Sequence, residues 1–182
     1  MKLRLCQDIL VCLLISFLGW SVETLLCSLR DGAFCDRGFL NLPFCTIYGF
    51  SVLAIDALIG TPQEGGLLLR RCRPRWLRLL AYFLLAALIP TLAELATGSF
   101  FFRRFGLRLW DYSALRYNFR GYVCLEFSLL WGVLITVGMA WLYPRIRKAV
   151  SKIPRHLAGV MAIALALAVC IDWAFCFALV RI

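Results

Sequence analysis

Residues 157–180 read LAGVMAIALALAVCIDWAFCFALV, twenty-four positions among which only Asp172 carries a charge. At 1.5 Å per residue such a run makes a helix of about 36 Å, longer than the roughly 30 Å hydrocarbon core of a bilayer. A soluble domain has no interior that calls for so long an uninterrupted apolar helix, so this stretch assigns the chain to a membrane. The composition agrees, since 63% of the 182 residues are hydrophobic where soluble domains hold about 45–50%.

Four further apolar runs lie upstream, at about 9–29, 44–60, 76–96 and 122–143. The expected fold is an all-α integral membrane protein of about five transmembrane helices, with residues 1–182 as a single membrane domain. The run at 44–60 is the weakest. It is short, carries Asp56 and follows the Gly- and Pro-bearing stretch from Gly38 to Gly49, so a re-entrant element before the second span is the alternative. The first run follows Lys2 and Arg4 as in a signal peptide, but Trp20 and Glu23 stand where a small-x-small cleavage site belongs, so it is expected to remain as a helix. Ile146, Val150, Ile153 and Leu157 recur at helical spacing among Arg145, Arg147, Lys148, Lys152 and Arg155, which predicts a short cationic amphipathic helix before the fifth span.

Twenty Lys and Arg face ten Asp and Glu. In a soluble domain that excess would point to nucleic acid. Here it points to loops beside anionic lipid, and no nucleic-acid-binding pattern competes. With the N-terminus cytoplasmic and the C-terminus outside, twelve basic residues fall on the inner side and eight on the outer, the orientation that the positive-inside rule favours. The outer excess is concentrated in the loop 97–121, which holds Arg103, Arg104, Arg108, Arg116 and Arg120.

Acidic residues inside spans cost roughly 2.5–3.5 kcal/mol each at a helix centre, so each needs a partner or a polar surrounding. Glu23, Glu94 and Asp172 come late in odd-numbered spans and Glu126 early in an even one. Alternating direction therefore puts all four in one half of the bilayer. The loops over that half supply Arg37, Asp111, Arg116 and Arg120. Glu23, Glu94, Asp172, Arg37, Asp111, Arg116 and Arg120 are the candidate solute-binding residues, while ion pairs that fix helix registry are the plainer reading of the same acids. Ser16, Gly19 and Glu23 share a helix face, as do Thr91, Glu94 and Gly98. Pro90 predicts a kink by removing a backbone bond, and Gly19 and Gly132 are expected to be structural.

The nine cysteines show no C-x-x-C spacing, so no metal or cofactor is expected, and a disulfide among Cys35, Cys45 and Cys124 stays open. The single histidine, His156, lies away from the acids, which disfavours triad and His-metal chemistry. Without a G-x-x-x-x-G-K-[ST] motif, nucleotide-driven work would need a separate ATPase.

Several strings together carry a resemblance: FLGWSVET from Phe17 to Thr24, RGFL from Arg37 to Leu40, PFCTIYG from Pro43 to Gly49, ELATG from Glu94 to Gly98, WDYS from Trp110 to Ser113, NFRGYVCL from Asn118 to Leu125 and FSLLWG from Phe127 to Gly132. Over about residues 16–132 the chain resembles the CmpB-like family of bacterial membrane proteins labelled type IV ABC-transporter permeases. Thr46 and Tyr122 stand where the commoner pattern has Pro and Arg. The resemblance implies a multi-span transport component that works with membrane lipids and with a separate ATPase or other membrane subunit. A non-catalytic assembly or regulatory subunit is the alternative, and a membrane-embedded lipid-modifying enzyme comes third.

Overall fold

The computed structural model describes residues 2–69, 72 and 74–180. Arg70, Arg71, Arg73 and Arg181 of the charge count lie outside these. The helices are α1 (Leu3–Asp31), α2 (Thr46–Leu58), α3 (Arg75–Phe105), α4 (Leu125–Val137), α5 (Tyr143–Ser151) and α6 (Arg155–Val180). One antiparallel ribbon pairs β1 (Asn118–Phe119) with β2 (Val123–Cys124). Gly32 and Gly106, both left-handed, stop α1 and α3, the backbone state in which glycine escapes the Cβ penalty.

Among the described residues, four helices are long and apolar enough to cross a membrane: α1, α3, the stretch 125–151 and α6. Their outward faces carry Leu26, Leu29, Leu84, Leu88, Val160 and Ile171, all exposed. Lipid is the solvent that tolerates so much open apolar surface. The run at 44–60 yields only the 13 residues of α2. At about 20 Å that is shorter than the hydrocarbon core.

The amphipathic helix expected before the last span is present as α5, but it continues the preceding helix instead of standing apart from it. A wider π-helical turn, Gly138–Leu142, joins α4 to α5, making one helix of 27 residues. Pro144 explains the turn. It has no N–H to offer the preceding turn, and the Ala140 carbonyl there accepts from Gln63 Nε2 at 3.0 Å instead. Of the expected apolar stripe, Ile146 and Val150 are buried, in line with Met139 and Tyr143 one and two turns earlier, while Leu157 is exposed at the start of α6.

The chain forms two compact units, Met1–Phe50 with Ile146–Ile182, and Ser51–Arg145. In the first, α1 packs on α6 around Leu13, Leu40, Val169 and Cys176, with Phe39 against Trp173 and Phe177. In the second, α3 packs on α4, where Gly132 lets the Phe83 ring and Ala87 approach. Here α3 continues through Pro90.

Residues 35–45 do not leave α1 as an ordinary loop. They run back along it in an irregular path bonded to α1 at successive turns, at three of them through backbone N–H groups. Cys35 N donates to Ser28 Oγ at 2.9 Å, and Arg37 N to Thr24 Oγ1 at 3.3 Å. Trp20 Nε1 donates to Asp36 Oδ1 at 2.8 Å, and Cys45 N to the Ser16 carbonyl at 3.1 Å. Positions 28, 24, 20 and 16 form one stripe, so the segment descends about 18 Å along the helix. α2 then starts beside the middle of α1, where Gly19 lies under the Tyr48 ring and Gly49 against the Cys12 carbonyl and Ser16 Oγ.

Candidate functional site

In the first unit, this descent brings Arg37 and Tyr48 to Glu23. The Tyr48 hydroxyl donates to Glu23 Oε1, and Arg37 Nε lies 3.8 Å from Oε2. Both charged side chains remain about one-third exposed. One carboxylate oxygen is thus held by a neutral donor and the other by a loose ion pair.

Asp172 lies in the same unit and has different partners. Oδ1 accepts from Asn41 Nδ2 at 2.9 Å, and Oδ2 from the Leu42 backbone N–H at 2.8 Å. The carboxylate closes the irregular segment against α6, satisfying a backbone donor that has no helix or sheet to pair with. Sequence reasoning missed Asn41 and Tyr48. The signal was present for the segment as a whole, in the polar stripe Ser16, Trp20, Thr24 and Ser28 at four-residue spacing.

Cys35 is joined to Cys27, while Cys45 and Cys124 are free thiols. The disulfide therefore links the last turn of α1 to the start of the descending segment, and not any pair among Cys35, Cys45 and Cys124. Asp31 brings its carboxylate within 4.8 Å of both sulfurs, and it is bonded by Arg30 Nε at 2.7 Å.

In the second unit, Thr91, Glu94 and Gly98 face α4 and the loop beside it. Thr91 Oγ1 donates to Ser128 Oγ at 2.8 Å, and Trp131 Nε1 to Glu94 Oε1 at 2.9 Å. Gly98 lies beneath the rings of Tyr122 and Trp110. Asp111 is brought to Arg108, at 2.8 Å, and to the Ser113 N–H, at 2.9 Å. Arg116 and Arg120 have no carboxylate partner among the described residues and lie over the rings of Tyr117 and Phe119.

The Ser113 N–H, aided by the Arg108 guanidinium, holds the Asp111 carboxyl below the usual range. A depressed pKa stabilises the fold above the unfolded value of about 3.9 and loses that contribution as pH falls through the folded value. The fluorescence assigned to Trp110, obtained by subtracting the Trp110→Phe spectrum, is expected to stay constant from neutral pH to about 4 and to change only below. In Asp111→Asn that acid step should vanish. A step near pH 6 that survives in Asp111→Asn would show that another group controls the loop.

In comparison with known proteins, the family model described as "Putative ABC-transporter type IV" matches residues 10–177. No curated protein and no solved structure matches the chain.

Proposed function

The chain belongs to the family described as "Putative ABC-transporter type IV", and from that premise we propose that it is a permease-like transport component that binds a small polar or amphiphilic solute at Glu23 and Arg37. That it is a multi-pass membrane protein with a transport-related role follows from the family and the four long apolar helices. The observation that carries the finer reading is the Glu23 carboxylate in the second half of α1, held by Tyr48 on one side and loosely by Arg37 on the other. Charge at that depth is costly to keep. A 3.8 Å ion pair can be opened by a solute that offers its own ammonium to Glu23 or its own anion to Arg37. Asp172, with both oxygens engaged, acts in this reading by positioning the segment that carries Arg37.

The descending segment and α2 together make up the second crossing, half irregular and half helical, as in discontinuous transporter helices. Irregular backbone is tolerated at membrane depth only where protein satisfies it, and the bonds to Ser28, Thr24, Ser16 and Asp172 do so for Cys35, Arg37, Cys45 and Leu42. In this reading five crossings put the termini on opposite sides, the distribution of Lys and Arg favours a cytoplasmic N-terminus, and the Cys27–Cys35 disulfide then falls outside, where oxidising conditions maintain such bonds. Energy comes from a separate ATPase subunit.

The test compares the small-molecule content of cells lacking the chain, cells expressing it and cells expressing Glu23→Gln. Expression should change the level of at least one polar metabolite, and Glu23→Gln should abolish that change while still appearing at parental abundance in the membrane fraction. Full activity in Glu23→Gln and in Arg37→Gln would refute the site.

A further inference from the structure

We infer that the loop between α3 and α4 is a binding surface for the phosphate group of an anionic phospholipid, held chiefly by Arg116 and Arg120. This surface lies in the second unit and is independent of the Glu23 site. Between residues 97 and 121 stand five arginines and one acidic residue, Asp111, which is committed to Arg108 and the Ser113 N–H. Arg103, Arg104, Arg116 and Arg120 are exposed and form no ion pair among the described residues.

The loop is a built structure and not a slack tether. Tyr112 N donates to the Gly121 carbonyl at 2.9 Å, and Trp110 Nε1 to the Tyr122 carbonyl at 2.8 Å. Asn118 Nδ2 donates to the Leu115 carbonyl at 2.6 Å, while its Oδ1 accepts from the Gly121 N–H at 3.0 Å. These bonds hold the β1–β2 turn with Arg120 itself in the left-handed conformation, φ 53°. These internal polar groups pair with one another, and the Arg116 and Arg120 guanidinium groups are left as the presented chemistry.

Four of these five arginines lie over an aromatic ring: Arg104, at the end of α3, over Phe105, and the loop residues Arg108 over Phe102, Arg116 over Tyr117 and Arg120 over Phe119, at 5.1 to 5.9 Å. A guanidinium seated on a ring face keeps its N–H edge free for the two-pronged grip that phosphate oxygens accept. The rings identify the source of the phosphate. Phe100 and Phe102 near the end of α3, and Tyr117 and Phe119 in the loop, are themselves exposed. Aromatic rings favour this level, where hydrocarbon gives way to headgroups. A soluble anion would need the arginines and not the rings. A lipid uses both, and its charge offsets the cluster that the positive-inside rule disfavours on the outer face.

The experiment titrates detergent-purified full-length protein with phosphatidylglycerol or with phosphatidylcholine of the same acyl chains, and counts retained lipid by native mass spectrometry. Phosphatidylglycerol should be retained preferentially. Arg116→Gln with Arg120→Gln should lower its retention about twenty-five-fold, each arginine contributing roughly fivefold, and Arg116→Lys with Arg120→Lys should fall between. If the Gln pair fails to fold, Arg103→Gln with Arg104→Gln at the exposed end of α3 should shift retention the same way. Equal retention of the zwitterionic lipid, parental retention by a folded Gln pair, or displacement of phosphatidylglycerol by inorganic phosphate would each overturn the inference.

Discussion

Replacing Asp172 by alanine is expected to lower the thermal unfolding midpoint of the purified protein well below that of the parent, although residue 172 is not part of the Glu23–Arg37 pair. Both carboxylate oxygens are in use, one by Asn41 and one by the Leu42 N–H. Leu40, two residues earlier, is buried in the core with Leu13 and Val169. An N–H left without a partner in such a place costs about 1–3 kcal/mol, and the lost Asn41 bond adds to it. Asp172→Asn retains an oxygen acceptor and should recover part of the loss. In a double-mutant cycle with Asn41→Ala, the two substitutions should be non-additive, because they share one bond. A parental midpoint in Asp172→Ala would mean that the segment is held by the α1 stripe alone.

Gly49 and Gly159 should respond to the same substitution with opposite signs. Alanine in a helix interior is about 1 kcal/mol more favourable than glycine, so Gly159→Ala on α6, where a Cβ would meet nothing within 4 Å, should be neutral to stabilising. At Gly49 the new Cβ would collide with the Cys12 carbonyl and Ser16 Oγ. The carbonyl belongs to the backbone of α1 and cannot rotate away. Overpacking costs about 1–3 kcal/mol, which outweighs the propensity gain, and close helix approach in membranes depends on such small residues. Guanidinium titrations in mixed micelles should place the Gly49→Ala midpoint below the parent and Gly159→Ala at or above it. Stabilisation by both would show that α1 and α2 do not approach as closely as described.

The long helices were legible in the sequence because a bilayer demands a minimum apolar length and little else. Their ends were less so. α1 begins at Leu3 and α3 runs on to Phe105, past the apolar runs, because Arg4, Arg103 and Arg104 can extend along the helix toward headgroups. The amphipathic stripe at Ile146 and Val150 gave the correct period but not the continuity with α4, which depends on Gln63 taking the carbonyl that Pro144 leaves. The descending segment was beyond the reach of composition. Its conformation is set by individual bonds to α1 and to Asp172, and no local periodicity encodes a bond between residues 131 positions apart. Arg37 and Glu23 could both be singled out as charges. That Tyr48 completes the group could not.

The separation between Asn41 and Asp172 also sets an order of events during synthesis. The ribosome adds roughly 5–20 residues per second, so on the order of ten seconds pass between the making of the segment and the making of the side chain that fastens it. Throughout that interval the N-terminal third has its principal helix but lacks the α6 contact. On the proposed second crossing, the translocon would therefore shelter, or leave outside the bilayer, a stretch too polar to partition into lipid unaided, and this part of the protein is completed only when α6 arrives.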